Sequence, residues 1–391
     1  MKWPTVPVAK VARIVGGSTP KTTIQEYWGG SILWATPKDL SDLDGKLISN
    51  TPRKITEAGL RKCAAEILPA NSVLFSSRAP IGHVAINTVP MATNQGFKSF
   101  IPNPDLDPHF LYWWLDANRD KLQALGTGAT FKEVSKAVVE RIEIPLPPLR
   151  EQKRIAGILD QADALRRLRT CALDKLNTLG QAIFHEMFGD PATNPNGWPM
   201  GVIGDLLTEA KYGSSGKANT EGRGLPMLRM GNITYCGRID LSDLKHIELT
   251  DKEFDKYTTR PGDLLFNRTN SKELVGKTAV ITQPEPMAIA GYLVRARANA
   301  RGNTHYISGY LNSTHGKAVL RNMCKNIVGM ANINAKEFQF ITIAVPPVEL
   351  QRAYADKIAS LRAEETIIQA SLDIASTLFS SLKYRAFKGE L

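Results

Sequence analysis

No stretch of about 18 consecutive apolar residues occurs in this 391-residue chain, so no membrane-spanning helix is expected. Met1-Lys2-Trp3-Pro4 opens without the apolar core of a secretory signal. The four cysteines, Cys63, Cys171, Cys236 and Cys324, form no CxxC pair and read as reduced, buried thiols of a cytoplasmic protein. Six histidines are scattered, and none stands at metal-ligand spacing from a Cys, Asp or Glu, so no metal site is expected. No GxGxxG fingerprint supports a dinucleotide fold. Gly126-Thr127-Gly128-Ala129-Thr130 lacks the following GK[ST] of a phosphate loop and reads as the close of the helical segment before it. An amino-methylating base methyltransferase needs Asn or Asp before Pro-Pro and an aromatic residue after it. Pro147-Pro148 instead lies between Leu146 and Leu149. A metal-dependent nuclease needs clustered carboxylates with a lysine. Pro104-Asp105 and Glu151-Gln152-Lys153 form such a set only on paper. The composition excludes little else, since 43% hydrophobic and 22% charged residues are ordinary for a soluble globular chain.

What the chain does have is itself, twice. Pro147-Pro148-Leu149-Arg150-Glu151-Gln152 opens a helical stretch running to Phe188. Pro346-Pro347-Val348-Glu349-Leu350-Gln351 opens another, 199 positions on, running to Phe387. Gln152 falls on Gln351, Leu159 on Ile358, Leu179 on Leu378 and Phe188 on Phe387, without a gap. The repeat extends upstream. Trp34 to Leu40 lies over Met227 to Ile233, Val73-Leu74-Phe75-Ser76 over Leu264-Leu265-Phe266-Asn267, and His109-Phe110 over His305-Tyr306. Two copies of one unit are therefore expected, each a globular region followed by a helix. Four segments follow: 1–146 and 191–345 as globular domains, 147–190 and 346–391 as helices. Gly189 to Gly197, dense in Gly, Pro and Asn, reads as the linker between copies.

The net charge of +11 is uneven. Residues 1–146 hold 17 Lys/Arg against 13 Asp/Glu, and residues 191–345 hold 19 against 13. The helical stretches hold 7 against 6 and 6 against 6, so the excess sits in the two globular regions. Two separate contacts with a polyanion suit that division.

Short apolar runs bounded by turn residues predict strands at Ser72–Phe75, Val84–Ile86, Asp263–Phe266 and Thr278–Ile281. Pro108 to Leu125 has helical spacing, with Phe110, Trp113 and Trp114 read as core rather than as a base-stacking platform. Each globular region is thus α+β. In the long stretches, Ile158, Ala162, Leu165, Ala172, Leu176, Leu179 and Ile183 recur at steps of three and four, with Arg169 intruding. Tyr354, Ile358, Leu361, Ile368, Leu372, Ala375, Phe379 and Leu382 do the same, with Glu365 intruding. That is coiled-coil spacing, and two such helices of about 55 Å predict an antiparallel pair.

Pro145-Leu146-Pro147-Pro148-Leu149-Arg150-Glu151-Gln152, with Glu186-Met187-Phe188-Gly189-Asp190-Pro191 at the end of the helix, resembles the central region of the specificity subunits of type I restriction–modification systems. The second copy departs from that string at Val348-Glu349-Leu350. The resemblance implies two pseudo-repeated mixed α/β target-recognition domains joined by two long helices forming an antiparallel coiled coil. It implies a non-catalytic subunit that reads a split, asymmetric site in double-stranded DNA, one half-site per domain. It further implies two methyltransferase subunits carrying S-adenosylmethionine and two restriction subunits using ATP and Mg. Half-sites read from one side lie about 34 Å apart, within the span of such helices.

Arg and Lys suit guanine, and Asn and Gln suit adenine. Candidate DNA contacts in the first domain are Thr36, Lys38, Ser77, Arg78, Asn94, Gln95 and Lys98, with Arg53 and Lys54 placed for phosphates. In the second they are Arg229, Asn232, Asn267, Arg268, Asn270 and Lys272. Candidate spacer and partner residues are Pro147, Pro148, Gln152, Ile158, Leu165 and Leu176, with Pro346, Pro347, Gln351, Ile358, Leu361 and Leu372 in the second copy. Arg150, Lys153, Arg154, Arg166 and Arg167 face either a methyltransferase or water. Two rivals stay open at this point: a duplicated protein scaffold that never touches DNA, and a stand-alone nuclease.

Overall fold

The computed structural model describes residues 3–78, 80–128, 132–327 and 330–391. Ala129 and Thr130, part of the segment read as a helix close, lie outside them. The chain forms two compact units, Met1–Leu168 with Ser371–Leu391, and Arg169–Ala370. Each long helix is therefore shared between the two units.

In the first unit a five-stranded sheet runs in the order Ala12–Gly16, Lys98–Pro102, Val73–Phe75, Val84–Asn87, Leu47–Ile48. A three-stranded sheet pairs Trp28–Ala35 antiparallel to Lys54–Ile55 and parallel to Ala92–Thr93. Thr5–Pro7 pairs with Glu143–Pro145, which brings the unit's first strand to the residues just before the double proline. The segment expected as one helix from Pro108 to Leu125 breaks at Asn118, giving Pro108–Ala117 and Arg119–Ala124. Asp107 caps the first of these by accepting from the His109 and Phe110 amides, and the Asn118 amide donates to the Trp114 carbonyl. Trp113 and Trp114 are buried, as core residues should be.

The second unit repeats the plan. Leu207–Tyr212, Leu293–Ala298, Leu264–Asn267 and Thr278–Val280 form one sheet. Leu225–Leu228 pairs antiparallel to Lys245–Ile247 and parallel to Ala288–Ile289. Met200–Val202 pairs with Thr342–Ala344. A further antiparallel ladder of Thr269–Asn270, Met330–Asn332 and Lys325–Ile327 is present here.

The helices span Leu149–Phe188 and Val348–Ala386. Their starts are built alike. Pro148 and Pro347 supply the first carbonyls, accepting from the Gln152 and Gln351 amides. Gln152 is fully buried; its Oε1 accepts from the Asp107 amide at 2.8 Å, and its Nε2 donates to the Asp105 and Pro147 carbonyls at 2.8 and 2.9 Å. Gln351 repeats all three bonds with Asn303, Arg301 and Pro346. Each glutamine thus pins a long helix to the loop before another helix of its unit, Pro108–Ala117 in the first and Thr304–Asn312 in the second.

Within each unit the two half-helices run antiparallel. In the first, Arg154 donates to the Leu391 carbonyl and Arg166 lies 5.6 Å from the Phe379 ring centroid. In the second, Phe184 and Phe188 pack on Tyr354. Aromatic contacts then bind the helices to the sheets: Phe387 on Phe110 in one unit, Phe188 on Tyr306 in the other, at equivalent positions of the repeat.

The seam of the first helix needs correction. Leu165 is 52% exposed and Leu179 is 42% exposed. The packed face instead carries Ile155, Leu159, Ala162, Leu173, Leu176 and Ile183, while Ile158 is only half-buried. Arg166 and Gly180 lie on that face. An apolar count passes over both, yet the arginine covers a ring and the glycine admits Leu361 and Ile358. In the second helix Tyr354, Ile358, Leu361 and Phe379 are buried as expected, and Leu372 is half-buried. Glu365, the intruder there, is 5% exposed and accepts from Arg238 at 2.6 Å and Arg362 at 2.9 Å. It ties a turn of the second unit to the helix. All four cysteines are free, but Cys171 and Cys236 are exposed rather than buried, because they lie on an outer helix face and a surface turn.

Candidate nucleic-acid interface

Parallel pairing sets the site. Trp34 stands beside Ala92 and Ala35 beside Thr93, so both strands end at one edge of the sheet. The residues that follow them, with those after Val73–Phe75, meet in a cleft of about 640 Å³. Thr36, Lys38, Arg78, Asn94 and Gln95 line it, so five residues chosen from sequence converge in space. Lys38 and Gln95 are exposed. Thr36 is less available. Its hydroxyl and its amide both donate to Asp39, forming the cap of a short helix. Asn94 accepts from the Gly96 amide, which shapes the turn carrying Gln95. Glu133 stands 4.0 Å from Arg78 and 3.1 Å from Lys98. Lys98 is thereby held aside and does not line the cleft.

The same three segments build a cleft of about 880 Å³ in the second unit. Met227 stands beside Ala288 and Leu228 beside Ile289, again parallel. Arg229 and Asn232 come from the first segment, Arg268 and Thr269 from the second, and Gly291 and Tyr292 from the third. Ser214 and Ser215, following Leu207–Tyr212, widen the site. Arg268 is steadied by the Tyr212 ring at 4.7 Å and by Asn332, which accepts from its Nε at 3.3 Å. Lys277, buried beneath, donates to the Met230 carbonyl at 2.9 Å, and burial pulls its ammonium below the usual lysine range.

Three residues expected to contact DNA are corrected. Ser77 is fully buried and donates to the Gly96 carbonyl. Asn232 is 3% exposed, and its amide is consumed by the Arg229 amide and by the Asp240 and Asp243 carbonyls. Asn267 is fully buried at the end of its strand. Ser77 and Asn232 thereby support the loops that Gln95 and Arg229 occupy, whereas neither polar side-chain atom of Asn267 has a hydrogen-bond partner among the described residues. Asn270 and Lys272 do not line the cleft, and the Asn270 side chain accepts from the Ser271 amide. Arg53 stacks on Trp28 and Trp34, with its guanidinium 4.1 and 4.9 Å from the ring centroids, while Lys54 beside it is exposed.

Sequence reasoning missed Ser41, Ser214, Tyr292 and Asp243. The repeat gave no signal for Tyr292, because matching Ala92–Thr93 to Ala288–Ile289 puts the candidates Asn94 and Gln95 on Ala290 and Gly291 and leaves Gly96 opposite the tyrosine. On the long helices, Arg150 and Lys153 are exposed. Arg154 pairs with Glu151, Arg166 with Asp163 and Arg167 with Asp44. Leu350, the counterpart of Glu151, packs against the second unit's core instead. Among the described residues no three His, Cys, Asp or Glu side chains are grouped to hold a metal ion, and no helix is long and apolar enough to cross a membrane.

Comparison with known proteins bears on this geometry. Residues 1–177 match the family described as the type I restriction modification DNA specificity domain. The MjaIX specificity subunit of the type I restriction enzyme from Methanocaldococcus jannaschii is 30% identical over 325 residues, covering 78% of this chain and 74% of that one. The EcoKI specificity subunit from Escherichia coli is 28% identical over 292 residues, covering 70% and 63%. The crystal structure of a type I restriction–modification S subunit from M. genitalium has a similar fold, with a TM-score of 0.63 at 14% identity over 99% of this chain and 96% of that one. A chain from a structural study of type I R-M complex assembly and conformational transition gives a TM-score of 0.58 at 21% identity, covering 100% and 98%.

Proposed function

Because this chain belongs to the type I restriction–modification specificity subunits, we propose that it reads a bipartite, asymmetric duplex site, one half-site in each cleft. The duplication of the cleft carries this reading. Equivalent segments build it twice, yet the side chains differ: Lys38, Arg78 and Gln95 in one unit, Arg229, Arg268 and Tyr292 in the other. A shared frame with different donors and acceptors is what two unlike half-sites require. The basic excess of both globular regions supports it too. Arg53, Lys54, Asn270 and Lys272 lie outside the clefts and serve phosphates.

The chain performs no chemistry itself. Two methyltransferase subunits, holding S-adenosylmethionine and flipping out the target adenine, dock on it. Two restriction subunits bring ATP- and Mg-dependent cleavage, and the assembly works in the cytoplasm. The long helices act as the spacer, with Pro147, Pro148, Gln152 and their counterparts Pro346, Pro347 and Gln351 fixing where each begins.

Competition binding of the chain with its methyltransferase tests this. A split duplex selected from a random pool should outcompete random duplex by roughly 10³-fold or more. Equal competition would leave only a protein scaffold.

A further inference from the structure

The second cleft holds an arginine–aspartate pair at two positions where the first unit has threonines. Arg229 Nη2 donates to the Asp243 carboxylate at 2.8 Å and to the Asp243 carbonyl at 3.1 Å. Buried Asn232 fixes both partners from below. Its Oδ1 accepts from the Arg229 amide at 2.8 Å, and its Nδ2 donates to the Asp243 carbonyl at 2.9 Å and the Asp240 carbonyl at 2.8 Å. One saturated amide therefore holds the backbone of both residues. The Arg229 side chain is 28% exposed and that of Asp243 is 83% exposed. Among the described residues nothing accepts from Arg229 Nη1, and nothing donates to the second Asp243 carboxylate oxygen. A preset donor and a preset acceptor thus stand side by side at the cleft.

The first unit places other residues here. Thr36 occupies the position of Arg229, with its hydroxyl committed to Asp39. Counting back along the paired strands puts Thr51 where Asp243 stands. Thr51 is buried, accepting from the Trp34 amide and donating to the Arg53 carbonyl. Neither threonine offers a charge.

We propose that Arg229 and Asp243 together read one G·C base pair in the half-site bound by the second unit. This rests on the DNA-reading function above. In the major groove guanine shows two acceptors, N7 and O6, and its cytosine partner shows the N4 amine donor. The arginine donates to the guanine, and the carboxylate accepts from the amine. A residue meant only for phosphate gains nothing from an exposed carboxylate bonded to it, since that carboxylate repels the backbone. Asp243 therefore trades general affinity for discrimination.

Selection from a duplex library with randomised positions, using the full chain with its methyltransferase, tests the pair. The wild type should return a split consensus. Arg229→Ala and Asp243→Ala should each relax the same G·C pair, with discrimination falling roughly ten- to hundredfold. Arg229→Lys should relax it too, since the planar fork is lost while the charge stays. The other half-site should be unchanged, which also shows that the variants fold. An unaltered consensus overturns the proposal. So does a loss equal for all sequences with a shallower salt dependence, which makes Arg229 a phosphate contact. A wild type that returns no split consensus overturns the DNA-reading function itself, a result distinct from both.

Discussion

Asp160 gathers three partners onto the Leu149–Phe188 helix. Trp113 Nε1 donates to it at 2.7 Å, Lys46 bonds the same oxygen, and His109 lies 3.6 Å from the other. Burial alone raises this carboxyl, but the neighbouring His109, Lys46 and Trp113 outweigh it and bring it down to about 2. A carboxyl lower in the folded chain than in the unfolded one stabilises fully above its unfolded value of 3.8 and loses that contribution as pH falls through about 2. Asp160→Ala leaves the buried Trp113 donor unpaired and should cost about 1–3 kcal/mol at neutral pH. Urea unfolding at a series of pH values should show the gap between wild type and variant closing between about pH 4 and pH 2. A gap that stays constant to pH 2 would mean that packing alone explains the loss. At this scale, reading from sequence has a clear limit. Arg78, Arg229 and Arg268 were legible because a long basic side chain after a strand reaches past its loop. Ser77, Asn232 and Asn267 were not, because a small polar residue beside a strand end is buried in the fold as readily as it is offered to a ligand, and only burial separates the two.

The long helices were the most legible elements. A double proline followed by Gln152 or Gln351 marks each start, and the structure gives that glutamine the same three bonds twice. Truncating either buried amide strands two carbonyls and one amide. Gln152→Ala and Gln351→Ala should each cost about 1–3 kcal/mol. Hydrogen exchange should quicken at the start of the helix that was altered and stay unchanged at the other. Equal quickening at both starts would contradict separate anchoring within each unit. The helix seam was half legible, since spacing alone cannot show that Arg166 and Gly180 lie on the packed face while Leu165 turns to solvent. The break at Asn118 was hidden for a similar reason. The apolar pattern continues through it, but the Asn118 side chain takes up the Trp114 carbonyl and ends the first helix.

At the scale of the whole molecule, the repeat legible in the sequence became two units with equivalent sheets, equivalent helix starts and equivalent clefts. What the repeat could not convey is which side chains each cleft presents, because the two copies place different residues there. In the proposed function each unit reads its half-site alone. Exchanging residues 1–146 for those of another specificity subunit and mapping the methylated adenines in cells tests it most directly. A new sequence is expected in one half-site, the other half-site and the spacing being retained. A change in both half-sites, or an unchanged site, would contradict it.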